Sequence, residues 1–316
     1  MAEPAPPVLF VVGPTAAGKT RLALSLAQRF PAEIINADSR QVYRSMDIGT
    51  AKPTLAERAQ APHHLVDLLD PGADFGLGEF LRLARAAIGD IARRGRLPIV
   101  VGGTGQYVWA LVEGWQVPEV PPDPQFRQAL EQQAAEQGPE ALYRELRQLD
   151  PRRAAQLDPR NVRRVIRALE VHRAGQEEEH PSIGKIPPGF QPLVIGLTLA
   201  RDELYRRIDD RVDQMMAAGF LEEVRRLAGQ GYHLGQGPLS SPGYRELGQH
   251  LAGEMSLAEA VQRTKYQTHR LARRQYTWFK LRDPRIRWLD AADAALLDRA
   301  EALVAGFLAA PAGGGL

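Results

Sequence analysis

The sequence contains no cysteine, which excludes disulfide bonds, thiolate metal sites and a cysteine nucleophile. No uninterrupted apolar run approaches the roughly 18 residues that a membrane-spanning helix needs. The formal net charge is only +2, so overall charge does not by itself indicate a nucleic-acid-binding protein. Residues 1–7 are proline-rich and carry no basic segment, unlike a secretory signal. We therefore expect a cytoplasmic protein without a membrane partner.

Short apolar runs alternate with helical patterns in the first part of the chain. Residues 8–12, 33–37 and 98–101 predict buried strands, and residues 20–30 and 79–94 have helical spacing. This alternation predicts an α/β fold in which helices flank a parallel sheet. The active crevice of such a fold lies beyond the carboxyl ends of the strands.

A proline-rich break at residues 117–124 predicts a domain boundary. Polar residues 176–191 resemble a linker back to the core. We therefore predict a core made of residues 1–118 and 192–316, with an inserted small helical domain at 119–191. The elements predicted beyond the break are helices at 125–137, 139–149, 161–174, 202–228 and 256–280, and a strand at 193–199.

The segment after the first predicted strand fits the phosphate-binding pattern G-x-x-x-x-G-K-[ST]. Glycines let backbone N–H groups converge on phosphate oxygens, and the following helix N-terminus adds positive partial charge. Lys19 can neutralise the phosphates, and the Thr20 hydroxyl can bind Mg²⁺. We predict a P-loop NTPase-like fold with a diphosphate or triphosphate here. The segment comprises Gly13, Pro14, Thr15, Ala16, Ala17, Gly18, Lys19 and Thr20.

The acid that nucleotide hydrolysis usually needs is missing from the neighbouring strand. Residues 98–101 are followed by Gly102 and Gly103 rather than by a carboxylate that could bind a metal. The carboxylate at a strand end near the front of the chain is Asp38. It can serve as a metal ligand or as a general base for a nucleophile at the phosphate site. A helix N-cap is the structural alternative for Asp38.

Basic residues are concentrated in two helical segments. Nine lysines and arginines lie within residues 263–287, together with the aromatic residues Tyr266, Tyr276, Trp278 and Phe279. A smaller arginine cluster lies within residues 160–173. Positive charge with interleaved aromatic rings is typical of proteins that recognise single-stranded or looped RNA. The alternative is a solvated helix face with Trp278 and Phe279 packed in the core.

Together these motifs resemble the tRNA dimethylallyltransferase family, prenyltransferases that modify the adenosine beside the anticodon. The resemblance implies transfer of a dimethylallyl group from dimethylallyl diphosphate to the exocyclic N6 amine of the adenosine 3′-adjacent to the anticodon. Diphosphate is released, so the P-loop holds a leaving group and no residue has to activate water. The similar segments, in order, are residues 13–20, 37–43, 46–53, 62–67, 101–107, 164–171, 207–215, 243–246 and 268–279.

The resemblance implies that Thr15, Lys19 and Thr20 hold the diphosphate and Mg²⁺. It assigns Arg211 to the same diphosphate, where a cation would stabilise the departing anion. Without the resemblance, Arg211 would be interpreted as an ordinary solvated charge on a helix.

On the acceptor side, the resemblance implies that Asp38 accepts a proton from the adenine amine and that Thr104 lies beside the base. It also implies that the insertion grips the anticodon stem-loop of tRNA. We expect the chain to act as a monomer. The residues that it places along the tRNA path are Asp38, Ser39, Arg40, Gln41, Thr104, Arg127, Arg163, Arg164, Arg167, Ser241, Gly243, Tyr244 and Arg245.

Two other functions remain possible from sequence alone. A P-loop small-molecule or nucleotide kinase would hold ATP in the loop and use Asp38 to deprotonate a hydroxyl. A nucleotide-driven RNA-binding protein would use the loop as a switch. The chain departs from the family pattern at Pro242 and at residues 157–161. For His63 and His64 we expect structural hydrogen bonds rather than catalysis.

Overall fold

The computed structural model describes residues 5–118, 120–175 and 185–310. The chain forms two compact units: a core unit of Met1–Gly114 with Pro187–Leu316, and an insertion unit of Trp115–Ile186. The boundaries predicted from sequence are slightly different, at 118/119 and 191/192. Trp115 pairs with Lys185 in an antiparallel bridge within the insertion unit, which accounts for part of the difference. Residues 176–184 of the predicted linker lie outside the described residues.

The core unit contains a six-stranded parallel sheet in the order β3-β2-β4-β1-β5-β6, which confirms the predicted fold class. In the register of the sheet, Val11 lies opposite both Val101 and Ile195. The loops that follow β1, β2 and β4 therefore leave from one edge of the sheet. The strands are β1 (Pro7–Val12), β2 (Ala32–Asn36), β3 (His63–His64), β4 (Leu97–Val101), β5 (Gln191–Thr198) and β6 (Ile286–Asp290).

Continuous apolar sequence explains the central strands. Residues 8–12 of β1 are completely buried, because side chains on both faces of the sheet meet packed helices. Strands of parallel sheets are therefore apolar throughout rather than alternating. The helices of the core unit are α1 (Lys19–Arg29), α2 (Leu55–Arg58), α3 (Leu77–Arg93), α4 (Gly105–Val112), and, after the insertion, α9 (Arg201–Ala217), α10 (Phe220–Gly229), α11 (Tyr244–Leu251), α12 (Leu257–Trp278) and α13 (Leu296–Ala309).

The predicted single helix at 202–228 is wrong, because two helices occupy this range. Gly219 has a φ of +96°, a left-handed conformation that glycine adopts at low cost, and it separates α9 from α10. The predicted helix at 256–280 is confirmed as α12 with slightly shorter bounds. In the described part of the chain, no helix is both long enough and apolar enough to cross a membrane.

The insertion unit is helical, as its sequence predicts. Asp123 caps its first helix by accepting a hydrogen bond from the Phe126 N–H at 3.0 Å. Leu142, Leu146 and Val165 are completely buried at its centre. Its helices are α5 (Pro124–Gln137), α6 (Pro139–Leu149), α7 (Pro151–Ala154) and α8 (Val162–Arg173).

Candidate active site

The phosphate-binding loop connects β1 to α1, in the predicted context. Gly13 has a φ of +135°, and a Cβ at this position would lie 2.4 Å from the carbonyl oxygen of Leu197. Gly18 has a φ of +89° immediately before α1. Only glycine combines the Gly13 conformation with such close backbone approach, and glycine adopts the Gly18 conformation at low cost. The loop therefore presents backbone N–H groups at a helix N-terminus, an arrangement suited to phosphate oxygens.

Two charged side chains act electrostatically on Lys19 at this loop. The Lys19 ammonium donates a hydrogen bond to the Pro14 carbonyl at 2.8 Å. Burial lowers the pKa of Lys19 to about 8, the carboxylate of Asp38 opposes the shift, and the Arg211 guanidinium adds to it. Lys19, Asp38 and Arg211 therefore share one site, although they lie far apart in sequence.

Arg211 is not the solvated helix charge that its sequence alone would suggest. It lies on α9, is half-buried, and burial lowers the pKa of its guanidinium. A guanidinium nevertheless stays protonated at physiological pH. The site thus contains a fixed positive charge that has lost part of its hydration.

Asp38 follows β2 by two residues, and the surrounding backbone fixes its position. The Asn36 side chain accepts from the Asp38 N–H at 3.0 Å and donates to the Asp38 carbonyl at 3.1 Å. The Asp38 Oδ1 accepts from the Arg40 N–H at 2.9 Å, which closes a turn. Turns rather than a helix follow Asp38. The N-cap alternative is therefore wrong.

Thr104 lies beside Asp38 because the loop after β4 touches the loop after β2. The Ser39 N–H donates to the Thr104 Oγ1 at 3.1 Å, and the Thr104 N–H donates to the Ala37 carbonyl at 3.4 Å. A Cβ on Gly102 would lie 2.2 Å from that same carbonyl oxygen. Because residue 102 is glycine rather than an acidic residue, the loop after β4 can approach the loop after β2 closely.

Gln275 of α12 is a site residue that sequence reasoning missed. Its Oε1 accepts from the Thr15 N–H at 2.8 Å, and its Nε2 donates to the Gly103 carbonyl at 3.1 Å. It therefore joins the phosphate-binding loop to the loop that carries Thr104. The sequence feature that could have indicated a role for Gln275 is its position on the same helix face as the buried Ala272.

A buried carboxylate, also missed from sequence, organises residues 46–53. Glu223 of α10 accepts hydrogen bonds from the N–H groups of Asp47, Ile48 and Gly49, and from the Tyr244 hydroxyl at 2.6 Å. Burial is the main cause of a raised pKa for that hydroxyl. Tyr244 is fully buried, so its side chain has no surface to offer tRNA, and we assign it to packing instead.

The other residues predicted around position 243 surround this packed tyrosine. Gly243 has a φ of +92°, and a Cβ there would lie 2.4 Å from the Phe220 ring. The half-exposed Arg245 pairs with the buried Glu246 at 2.6 Å. The Ser241 hydroxyl donates to the Pro238 carbonyl at 2.5 Å. Thus Ser241 and Arg245 are partly accessible, whereas Gly243 has a conformational role.

Ser39, Arg40 and Gln41 form the turn beyond Asp38, and all three are partly exposed. Gln41 donates to the carbonyls of Thr50 and Ala51, both at 3.1 Å. This turn is therefore held against residues 46–53 next to the predicted base.

In the insertion unit, the predicted tRNA-binding arginines fall into two groups. Arg127 makes a bidentate pair with the buried Glu170, with both distances 2.9 Å, and Arg167 pairs with the same carboxylate at 2.5 Å. These two arginines stabilise the unit internally. Arg163 and Arg164 are exposed on α8.

The basic residues of α12 are mostly exposed. Arg270, Arg273 and Arg274 face solvent, and Arg270 lies over the ring of Tyr266 at 5.9 Å. Tyr266 is 56% exposed. Of the two residues that the alternative places in the core, Phe279 is completely buried, whereas Trp278 is 39% exposed. Core packing is thus correct for Phe279 and wrong for Trp278.

His63 and His64 have the structural hydrogen bonds that were expected. His63 Nδ1 lies 2.7 Å from the Ala61 carbonyl, and His64 Nε2 lies 2.7 Å from Glu33 Oε2. Glu33 also pairs with Arg94 and Arg96. Burial would raise the pKa of Glu33, but the hydrogen bonds from His64, Arg94 and Arg96 lower it to about 2.

The Glu33 network predicts a loss of stability in acid. Because the pKa of Glu33 is lowered from 4.5 to about 2, its contribution is complete above pH 4.5 and disappears as the pH falls toward 2. Glu33→Gln should lower the free energy of unfolding at pH 7 by about 2 kcal/mol, after allowance for the half-exposed arginines, and should flatten this pH dependence. Urea unfolding at pH 7 and pH 3 measures both effects. Glu222 belongs to an exposed ion pair, so Glu222→Gln should change the free energy of unfolding little. Equal losses of stability in the two variants would contradict the prediction.

Family models match most of the chain. The model described as IPP transferase matches residues 41–282, and the one described as isopentenyl transferase matches residues 6–63. The chain is 55% identical to the tRNA dimethylallyltransferase of Roseiflexus castenholzii, over 94% of this chain and 97% of that one. It is 51% identical to that of Thermomicrobium roseum, over 90% and 86% of the two chains.

Solved structures give the same comparison. The tRNA isopentenylpyrophosphate transferase of Bacillus halodurans is similar with a TM-score of 0.71 and 38% identity, covering 96% of this chain and 97% of that one. A eukaryotic dimethylallyltransferase acting on tRNA is similar with a TM-score of 0.78 and 31% identity, covering 96% and 79%. None of these four relatives is named as a kinase.

Proposed function

The chain belongs to the tRNA dimethylallyltransferase family, whose members are prenyltransferases that act on tRNA, and from this premise we propose its reaction and the residues that perform it. It transfers the dimethylallyl group of dimethylallyl diphosphate to the N6 amine of the adenosine 3′-adjacent to the anticodon. The carrying observation is that Asp38 and Arg211 both act electrostatically on Lys19 at the phosphate-binding loop. Cations for a leaving group and a carboxylate for the nucleophile thus share one site.

In the proposed reaction, the amine nitrogen attacks the allylic carbon as the bond between that carbon and the diphosphate oxygen breaks. The diphosphate leaves with the electron pair and is held by loop N–H groups, the Thr15 hydroxyl, Lys19 and Arg211. The proton lost by the nitrogen passes to the Asp38 carboxylate. Thr104, linked to the turn after Asp38, positions the base.

Mg²⁺ fits this site as a partner of the substrate rather than as a protein-enclosed ion. Among the described residues, no group of three or more His, Cys, Asp or Glu side chains is placed to hold a metal. Mg²⁺ commonly takes most of its ligands from water and substrate phosphates, with few from the protein. The Thr20 hydroxyl at the start of α1 would be such a ligand, and the ion would neutralise diphosphate charge.

In the core unit, the residues proposed to bind tRNA are Ser39, Arg40 and Gln41 of the turn after Asp38, Thr104, the accessible Ser241 and Arg245, and the exposed arginines of α12. In the insertion unit they are the exposed Arg163 and Arg164 of α8. We propose that a monomer in the cytoplasm uses these residues on the anticodon stem-loop. The target base has to leave its stack, which costs a few kcal/mol that the protein contacts must offset.

Transfer of label tests the reaction directly. The chain is incubated with Mg²⁺, unmodified tRNA and either dimethylallyl diphosphate labelled in the prenyl group or ATP labelled in the γ-phosphate. The proposal expects prenyl label in the tRNA, at the N6 of one adenosine, and no transfer of phosphate. Label from ATP alone would refute the proposal and favour a kinase.

The exposed arginines of α12 predict salt-dependent tRNA binding. Replacing Arg270, Arg273 and Arg274 by glutamine should weaken binding and reduce the slope of log K against log salt by about 0.7 for each tRNA phosphate that is no longer neutralised. The matched control replaces Arg82, Arg93 and Arg206, three exposed core-unit arginines on α3 and α9. If both triple variants change the slope equally, only net charge matters and α12 is not a contact surface.

A further inference from the structure

Two loops of the proposed active site begin side by side. The phosphate-binding loop follows β1 and the loop with Thr104 follows β4, and these neighbouring strands pair in parallel. The Gly102 N–H donates to the Val11 carbonyl at 3.3 Å, so both loops leave the sheet at the same level. Beyond that hydrogen bond the strand ladder ends. A further contact is needed to fix the distance between the two loops.

The Gln275 amide provides that contact. It is only 7% exposed, accepts a hydrogen bond from the Thr15 N–H at 2.8 Å, and donates one to the Gly103 carbonyl at 3.1 Å. One loop thus requires an acceptor and the other a donor. An amide supplies both from a single rigid group, which a carboxylate or an apolar side chain cannot do.

Gly103 is shaped to receive this amide. A Cβ at position 103 would lie 2.1 Å from the Gln275 Nε2, closer than such atoms can approach. The φ of Gly103 is not in the left-handed region, so conformation alone does not require glycine there. Space for the glutamine is the physical reason for this glycine.

The helix that carries Gln275 is itself held against the same loop. A Cβ on Gly105 would lie 2.3 Å from the Trp278 Cβ, which shows how closely α12 approaches the start of α4. The Trp109 Nε1–H donates to the Trp278 carbonyl at 2.9 Å, and Phe279 is completely buried. Gln275 therefore extends from a fixed helix.

We infer that Gln275 is a positioning residue that sets the distance between the leaving-group loop and the acceptor loop. The inference rests on the proposed function, in which one loop holds the diphosphate and the other lies beside the adenine. Gln275 does not touch the reacting atoms. In a displacement reaction, the nucleophile and the leaving group must be aligned across the carbon, and a misplacement of about 1 Å can cost about 10²-fold in rate.

Kinetics of Gln275→Leu test the inference. We expect kcat to fall by about 10²-fold, while the KM for dimethylallyl diphosphate and the Kd for inorganic diphosphate with Mg²⁺ change by less than about threefold. Gln275→Glu keeps the acceptor, loses the donor and adds negative charge near the loop. It should therefore lose rate and also weaken diphosphate binding by about tenfold. Gln267→Leu, on the same helix, is the matched control and should leave all three constants unchanged.

A second variant approaches the Gln275–Gly103 hydrogen bond from its other side. Gly103→Ala should displace the amide and lower kcat to a similar extent. Combined with Gln275→Leu it should cause little further loss of rate, because both changes remove the same interaction. Full additivity of the two losses would overturn the inference.

Other outcomes separate this inference from a structural role and from the proposed function. A kcat loss that equals the loss of folded protein, measured by circular dichroism, would make Gln275 purely structural. A Gln275→Leu variant as active as the wild type would overturn the inference alone. A wild-type chain that transfers no prenyl group would instead refute the proposed function.

Discussion

Asp38→Asn is expected to lower the rate of prenyl transfer by about 10³-fold while tRNA binding changes by less than about threefold. Asparagine keeps the side-chain oxygen that accepts the 2.9 Å hydrogen bond from the Arg40 N–H, so the turn is retained. It cannot accept the proton that the amine loses. The change therefore removes the base without removing the local structure.

Single-turnover transfer and equilibrium tRNA binding, measured on the same preparation, check this expectation. Asp70→Asn provides a control, since Asp70 is an exposed carboxylate whose partner is the exposed Arg44. Asp38→Ala, which also loses the turn, should be at least as impaired. If rate and tRNA affinity fall together in Asp38→Asn, the carboxylate is a contact for tRNA and not the base.

Arg211→Gln is expected to lower kcat by about 10²-fold, with a smaller effect on the KM for dimethylallyl diphosphate. The charge on the departing diphosphate increases as the bond to carbon breaks. A half-buried guanidinium, poorly hydrated, responds to that increase more strongly than a surface charge does. Its main contribution is therefore to the transition state.

Arg207 supplies the matched control on the same helix, because it pairs with Glu203 at 2.6 Å. Arg207→Gln should leave kcat within about twofold of the wild type. Steady-state kinetics with varied dimethylallyl diphosphate at saturating tRNA compare the two variants. Equal effects of the two substitutions would show that Arg211 has no special role in leaving-group departure.

The parts of the fold that could be predicted from sequence depend on local patterns. Apolar runs that end in glycine specify β1 and β4, and the glycines and lysine of residues 13–20 specify a phosphate-binding loop. The two-residue strand β3 has no pattern of its own, since its pairing with β2 defines it. The break at Gly219 was overlooked because helical spacing continues on both sides of it.

Side chains that join distant segments could not be predicted. Gln275 contacts a residue 260 positions away, and Glu223 contacts the N–H groups of a segment 174 to 176 positions away. The local signal for Gln275 is limited to its position on the same helix face as Ala272, and nothing in the composition around Glu223 distinguishes it from an ordinary polar residue on a helix. Tyr244 illustrates the opposite error, because a motif that resembles a tRNA contact contains a tyrosine that the core buries.

The interior position of β1 has a further consequence for how the site withstands thermal motion. Within the described ranges of the chain, β1 has a partner strand on each side, whereas β3 and β6 each have one. Fraying of a sheet begins at its borders, where few hydrogen bonds must open, and proceeds inward at rising cost in free energy. The loop at residues 13–20 is therefore attached to one of the two central strands, whose amide protons should exchange last, so diphosphate binding should persist while the border strands fray.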